Sequence, residues 1–174
     1  MLGACAMSGS SGARAPAFSQ AGLPAAVQVP QGHQIAMETV GVGRITYECR
    51  AKKDAAGQFE WVFVGPDATL KDRQGQTVGK YYGPPATWES RDGSKITATQ
   101  LAVAPAGADS IPLQLVKANP ATGTGVMQGV SHVQRVATQG GVAPRTACDA
   151  TSLGQKQVVD YQADYIFWTP VAMR

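Results

Sequence analysis

One short segment of the chain holds most of the side chains that could bind a ligand or catalyse a reaction. Residues 79–94 combine aromatic rings, prolines and carboxylates. The side chains concerned are Tyr81, Tyr82, Trp88, Glu89 and Asp92. Aromatic rings stack on apolar faces of ligands such as sugars, and neighbouring carboxylates accept hydrogen bonds from hydroxyl groups. We therefore predict that these five residues bind a glycan or a protein partner.

The same segment has a catalytic and a structural alternative. Glu89 and Asp92 would serve as the acid and the base of a polysaccharide hydrolase if their carboxyl groups lay about 5–10 Å apart. In the structural alternative, the prolines brace a rigid loop that buries Trp88 and caps a sheet. The sequence has no Gly-x-Ser-x-Gly motif of a serine hydrolase. We therefore predict a binding protein and assign no catalytic residue outside the Glu89/Asp92 alternative.

Arg135 and the two histidines are the other candidates. Arg135 interrupts a run of small and apolar residues from 130 to 137. A sheet-face arginine usually pairs with a carboxylate, and its alternative role is to bind an anionic ligand, so we include Arg135 among the candidate binding residues. The histidines, His33 and His132, are far apart in sequence and are each predicted to be structural. Without Cys-x-x-Cys spacing, we predict no metal site and no cofactor.

The three cysteines predict where the protein works. Leu2-Gly3-Ala4-Cys5 has the form of a bacterial lipobox, in which Cys5 would be acylated; a chance run of small residues is the alternative. Cys49 and Cys148 remain as a pair, and a disulfide between them would persist in an oxidising compartment. The prediction is an extracytoplasmic protein, periplasmic, secreted or on the outer surface. It would contact a membrane only through lipidated Cys5, because no apolar run approaches about 20 residues.

Length and composition indicate how many domains the chain forms and which classes of partner it binds. Residues 1–24 begin with the lipobox-like sequence and continue with Ala, Ser, Gly and Pro, which is typical of a flexible tether. Residues 25–174 have the length of a single domain. The formal net charge is +3, and the basic residues form no stripe with aromatic residues, so nucleic acid is not predicted as a partner.

Alternation of apolar and polar residues with a period of two predicts an all-β domain. Ile45, Tyr47 and Cys49 share one face of a strand, and the odd-numbered residues from 159 to 167 share another. Turn sequences at residues 54–57, 72–75 and 91–94 separate such runs. We predict a single-domain antiparallel β-sandwich or flattened β-barrel of eight to ten strands with few or no helices, and a Greek-key strand order as a hypothesis.

Several motifs in combination resemble a known family. They are Phe59-Glu60-Trp61-Val62-Phe63, Gly65-Pro66-Asp67-Ala68, the block from Gly83-Pro84 through Trp88 to Asp92-Gly93-Ser94, Ile111-Pro112, residues 134–144, Cys148-Asp149 and Ala163-Asp164-Tyr165-Ile166-Phe167. Across residues 27–168 this pattern resembles domain-of-unknown-function family 3455, an uncharacterised family of secreted bacterial and fungal proteins. The resemblance implies a secreted single-domain β protein and brings no established activity. The family often has a histidine where Tyr81 stands and a tryptophan where Leu113 stands, so no catalytic role is carried over.

A third functional hypothesis rests on a four-residue stretch. Tyr47-Glu48-Cys49-Arg50 is similar to a stretch in small periplasmic lysozyme inhibitors, which also contain a disulfide. It predicts an inhibitor of a secreted hydrolase such as lysozyme. The sequence thus leaves three functions open: binding of a glycan or protein, hydrolysis of a polysaccharide, and inhibition of a hydrolase.

Overall fold

A computed structural model describes residues 17–172 as one closed antiparallel barrel. The strands are β1 (His33–Ala51), β2 (Phe59–Lys71), β3 (Thr77–Tyr82), β4 (Thr87–Ser90), β5 (Lys95–Ala104), β6 (Leu113–Ala118), β7 (His132–Gly140) and β8 (Lys156–Pro170). Two single-turn 3₁₀ segments, Ala25–Val27 and Ala150–Ser152, are the helical elements of this part of the chain. The prediction of an antiparallel all-β domain is confirmed, with the barrel as the form observed.

Strand order follows the sequence. Each strand pairs with the next one, and β1 also pairs with β8, which closes the sheet. The Greek-key hypothesis is therefore wrong. The predicted turns at residues 54–57, 72–75 and 91–94 each connect two consecutive strands, which explains why neighbours in sequence are neighbours in the sheet. Within residues 17–172, no helix is long and apolar enough to cross a membrane.

The barrel has two different ends. The upper end carries the loops β1–β2, β3–β4, β5–β6 and β7–β8, and the lower end carries the loops β2–β3, β4–β5 and β6–β7, the start of β1 and the end of β8. Met127 and Val130 of the β6–β7 loop are buried in the core cluster of the barrel interior. This loop therefore closes the lumen at the lower end.

Alternate residues of each strand fill the lumen, as their period of two requires. The buried side chains of the lumen core are Ile45, Tyr47, Ala68, Leu70, Tyr81, Trp88, Ile96, Val116, Val133, Tyr161, Ala163, Tyr165 and Phe167, together with loop residues Ile111, Met127 and Val130. At Gly41 a Cβ atom would lie 2.7 Å from the Tyr165 ring. Glycine is therefore required on β1 for that ring to pack across the barrel.

A second apolar cluster lies on the outside of the barrel. Residues 17–32, the N-terminal strap, pack over strands β5 to β8. The buried members of this cluster are Val27, Val29, Ala104, Leu115, Val136, Ile166 and Trp168. Phe18 and Leu23 are half-buried against them, so the packed chain begins upstream of residue 25, the predicted start of the domain. Cys5 and residues 1–16 of the predicted tether lie outside the described residues.

Gln134 connects the strap to the barrel. This side chain is fully buried on the outer face of β7. Its amide nitrogen donates to Val27 O at 2.8 Å and to Gln20 Oε1 at 3.0 Å, and its oxygen accepts from Trp168 Nε1 at 2.8 Å. Because a buried amide is costly unless its donors and acceptor are satisfied, this network fixes the strap in one position.

The predicted disulfide is confirmed. Cys49, near the upper end of β1, is bonded to Cys148 in the β7–β8 loop, with the two Cα atoms 5.6 Å apart. The bond joins positions separated by 99 residues. It therefore ties the first strand to the loop that leads into the last strand.

Candidate functional site

The six residues predicted to bind a ligand lie in three places. Those that face the lumen are Tyr81, Trp88 and Arg135; those on the outer face of the sheet are Tyr82 and Glu89; the one in the β4–β5 turn is Asp92. Successive residues of a strand face opposite sides of the sheet. The sheet therefore separates Tyr81 from Tyr82, although the two are adjacent in sequence.

Tyr81 and Trp88 belong to the barrel core. Their side chains are 5 % and 1 % exposed, and their ring centres are 4.6 Å apart in a stacked arrangement. Each ring therefore covers the other, and neither presents its face to solvent. The structural alternative, in which a proline-braced turn buries Trp88, describes this arrangement.

Tyr82 and Glu89 lie together on the outer face with two lysines. The Glu89 carboxylate accepts from Lys80 Nζ at 3.2 Å and from the Tyr82 hydroxyl at 3.1 Å, and Lys95 Nζ lies 4.0 Å from it. Lys80 Nζ also lies 5.3 Å from the centre of the Tyr82 ring, a cation–π distance. The Lys80 hydrogen bond is the main cause that lowers the pKa of Glu89. We call Lys80, Tyr82, Glu89 and Lys95 the Glu89 surface.

Two clefts flank the Glu89 surface. The first, of about 600 Å³, is lined by Thr69, Thr77, Gly79, Lys80, Glu89 and Arg91. The second, of about 250 Å³, is lined by Tyr82, Thr87, Lys95, Ile96, Thr97, Pro120 and Thr122. Both clefts present threonines and backbone groups of the outer sheet face. With three basic side chains against one carboxylate, the combined surface favours ligands that carry negative charge.

Asp92 clamps two loops at the lower end of the barrel. Its carboxylate accepts from Ser94 N at 2.9 Å, from Ser94 Oγ at 2.6 Å and from Val126 N at 2.8 Å. The Ser94 hydroxyl is the largest cause that lowers the pKa of Asp92 to about 2. A Cβ atom at Gly125 would overlap the Asp92 carboxylate, which shows how closely the β6–β7 loop approaches it. Asp92 thus holds the loop that closes the lumen.

Arg135 has no carboxylate partner among residues 17–172. It lies on the lumen face of β7, paired in register with Gln114 on β6 and Tyr165 on β8. Its Nε donates to the carbonyl oxygen of Pro112 at 3.0 Å. Among residues 17–172, no carboxylate lies within ion-pair distance of its guanidinium group. The expectation that a sheet-face arginine pairs with a carboxylate is therefore wrong for Arg135.

Tyrosines lie near Arg135, and two of them, Tyr161 and Tyr165, belonged to no functional hypothesis drawn from the sequence. The hydroxyl groups of Tyr161 and Tyr165 are 3.1 Å apart. Burial raises the pKa of both hydroxyl groups well above its ordinary value, and the positive charge of Arg135 partly opposes that shift. The same two effects act on Tyr47. The sequence did contain a signal for these two tyrosines, because residues 161 and 165 are both odd-numbered positions of one strand and were predicted to share a face.

The two histidines meet, although their sequence spacing predicted no contact. The His33 and His132 rings are 4.8 Å apart, edge to face, and connect the start of β1 to β7. His132 Nδ1 lies 3.0 Å from Ser131 Oγ. Burial is the largest cause that lowers the pKa of His132, followed by the charges of His33 and Lys117. Within the described part of the chain, no group of three or more His, Cys, Asp or Glu residues could hold a metal ion.

His132 is expected to make the stability of the fold depend on pH in the mildly acidic range. Because its pKa is lowered in the folded state, the unfolded chain binds more protons below the unperturbed value of about 6.5. We expect the thermal midpoint to fall as the pH drops below about 6.5, and to fall less in His132→Gln. Thermal unfolding of both proteins from pH 8 to pH 5 checks this. Equal pH dependence in the two proteins would contradict the assignment to His132.

Comparison with known proteins agrees with the motif analysis. A family model described as "Protein of unknown function (DUF3455)" matches residues 30–169, which include the whole barrel apart from the last residue of β8. The resemblance inferred from the motifs is thereby confirmed. No curated protein and no solved structure matches the chain.

Proposed function

The chain belongs to the DUF3455 family, a family of unknown function. We propose that this member is an extracytoplasmic, non-enzymatic glycan-binding module. The Glu89 surface is the proposed binding site. The observation that carries the proposal is the grouping of an aromatic ring, a carboxylate and two ammonium groups between two clefts of one outer sheet face. A protein partner with the same surface chemistry is the alternative occupant.

The charge of the Glu89 surface indicates the class of glycan. Lys80, Lys95 and Arg91 outnumber Glu89, and the threonine hydroxyls of the clefts can exchange hydrogen bonds with sugar hydroxyls. Ammonium and guanidinium groups bind carboxylates of sugar acids through charge-assisted hydrogen bonds. We therefore favour an acidic polysaccharide over a neutral one.

The states of the two carboxylates support binding over hydrolysis. A glycosidase needs one carboxyl group that is protonated at the working pH. The pKa values of Glu89 and Asp92 are both lowered, and both carboxylates already accept hydrogen bonds from their own neighbours. Neither is poised to donate a proton at neutral pH. The hydrolase with Glu89 and Asp92 is therefore the weaker of the two proposals.

The stretch that suggested a lysozyme inhibitor offers little surface to a partner. Tyr47 and Cys49 face the lumen side and are buried. Glu48 and Arg50, which face outward, form an ion pair with each other at 3.4 Å. No feature of this strand favours inhibition, and we do not propose it.

The proposed location rests on the cysteines. The Cys49–Cys148 disulfide closes a long loop, and such bonds persist in oxidising compartments rather than in the reducing cytosol. Acylation of Cys5 would add a membrane tether and stays a proposal. Mass spectrometry of the non-reduced protein from a bacterial envelope fraction would show both the disulfide and a lipid.

The binding test uses polygalacturonate as the acidic glycan and dextran as the neutral one. We expect the full chain to bind polygalacturonate in calorimetry, with affinity that falls as salt screens the charges. Tyr82→Ala, and Lys80→Ala combined with Lys95→Ala, are each expected to weaken binding by about 10-fold or more, which corresponds to about 1.4 kcal/mol. Arg44→Ala is the matched control, because Arg44 is an exposed, ion-paired cation on β1 that lies two strands from Tyr82 and lines neither cleft of the Glu89 surface.

Three results would contradict the proposal. Polygalacturonate and dextran could both fail to bind, the variants of the Glu89 surface could bind as well as the parent, or Arg44→Ala could lose as much affinity as they do. Release of reducing ends from either polysaccharide, abolished in Glu89→Gln, would instead establish the hydrolase alternative.

A further inference from the structure

We propose that the upper end of the barrel contains a second binding site, separate from the Glu89 surface, that takes a small organic carboxylate with Arg135 as its anchor. This site lies on the lumen face, on the other side of the sheet wall from Tyr82 and Glu89. It goes beyond the proposed glycan-binding role, and neither proposal depends on the other.

The first observation is the unused capacity of Arg135. Only its Nε has an acceptor among residues 17–172, the carbonyl oxygen of Pro112. The two terminal guanidinium nitrogens have none in that part of the chain. The guanidinium group therefore has no counter-ion in this part of the chain, and its terminal nitrogens are free to donate to an anion.

The second observation is an unpaired hydroxyl group near Arg135. The hydroxyl of Tyr81 has no hydrogen-bond partner among residues 17–172, whereas those of Tyr47, Tyr82, Tyr161 and Tyr165 are all paired. Arg135 is close enough for its charge to act on the Tyr81 hydroxyl. A hydroxyl group can donate to an oxygen acceptor. A ligand that supplies oxygen acceptors to Arg135 can therefore accept from Tyr81 as well.

The third observation is that the lumen is open beside Arg135. Register places Val103, Gln114 and Arg135 side by side on one face of β5, β6 and β7. Although that face is the lumen face, the side chain of Val103 is 47 % exposed and Gln114 is partly exposed. At the lower end, by contrast, Met127 is 1 % exposed. Ile111 of the β5–β6 loop, 7 % exposed, covers part of the upper end, and the lumen stays open at Val103 and Gln114, next to Arg135.

The lining of this opening specifies the ligand. A guanidinium group binds a carboxylate through parallel hydrogen bonds, so one end of the ligand is a carboxylate. Val103, an exposed apolar residue of β5, shares this face with Arg135, so the remainder of the ligand has an apolar part. The Gln114 amide, which donates to Gln100 Oε1 at 2.6 Å, supplies a polar edge. Benzoate has these properties, and benzamide is its neutral counterpart.

The experiment measures benzoate and benzamide binding to the full chain in carboxylate-free buffer, by calorimetry and by thermal shift. We expect benzoate to bind and to raise the thermal midpoint, and benzamide to do neither. Arg135→Gln is expected to weaken benzoate binding by about 10-fold or more, and Arg135→Lys by less, because it keeps the charge but loses the planar fork. Tyr81→Phe is expected to weaken binding by about 3-fold or more.

A stability measurement separates a binding role from a structural one. If Arg135 serves to bind a ligand, Arg135→Gln without benzoate is expected to unfold at about the same temperature as the parent, because the substitution breaks no ion pair among residues 17–172. Arg145→Gln is the control, since Arg145 is exposed at the same end and ion-paired with Asp109. The proposal is overturned if benzoate does not bind at millimolar concentration, if benzamide binds equally well, or if Arg135→Gln lowers the midpoint and leaves benzoate affinity unchanged.

Discussion

Replacing Trp88 with alanine is expected to lower the free energy of unfolding by about 3–5 kcal/mol, because it removes a large buried ring and leaves a cavity in the lumen core. The ring is 1 % exposed, and it contacts Tyr81 at 4.6 Å and Tyr165 at 6.0 Å between ring centres. These contacts join β3, β4 and β8 across the barrel. Chemical denaturation of the parent and of Trp88→Ala measures the loss.

Trp88→Phe is the matched control. It keeps an aromatic ring in the stack, and the lost indole N–H has no acceptor among residues 17–172, so its cost is expected to be well below that of Trp88→Ala. If Trp88→Ala were as stable as the parent but failed to bind polygalacturonate, the ring would be a ligand platform and not part of the core. That result would contradict the separation of Trp88 from the Glu89 surface.

Removing the disulfide is expected to have a comparable effect. In Cys49→Ala combined with Cys148→Ala, the unfolded chain regains the freedom that the closed loop denied it, and the free energy of unfolding should fall by about 2–5 kcal/mol. The sequence separation of the two cysteines, 99, places the bond toward the upper part of that range. Urea denaturation of the double variant at neutral pH measures the effect.

A reductant provides the control for the disulfide. The reduced parent should unfold at the same urea concentration as the double variant, and the double variant should not respond to reductant. Cys5→Ala should behave like the parent, because Cys5 is not part of the bonded pair. A parent chain whose midpoint is insensitive to reductant would show that the bond contributes nothing to stability.

Local features of the sequence predicted the fold class. The alternation around Ile45, Tyr47 and Cys49 placed these side chains on one buried face, and the pairing of Cys49 with Cys148 followed from the number of cysteines. Strand order was not predictable in the same way, because alternation describes one strand and says nothing about its neighbours. The lengths of the turns do indicate which strands are neighbours, because short turns between consecutive strands favour the sequential order observed.

The sequence predicted which residues are candidates for the site, but it did not predict how they are arranged in space. Tyr81 and Tyr82 were assigned to one surface, although adjacent residues of a strand face opposite sides, so the period of two already argued for their separation. The approach of Arg135 to Tyr81, and of His33 to His132, depends on the closure of the barrel. Such contacts between distant parts of the sequence follow from topology and leave no local pattern.

Closure through β1 and β8 has a consequence for the time course of folding. Every strand has a partner next to it in sequence, but the pairing that closes the barrel joins the first strand to the last one. Pairings between sequence-distant segments form slowly, and until this one forms β1 and β8 are free edges that can recruit strands from other molecules. The Cys49–Cys148 bond lies beside the same seam. An oxidant present during folding would therefore hold the seam together and limit aggregation, a benefit separate from the stability of the finished barrel.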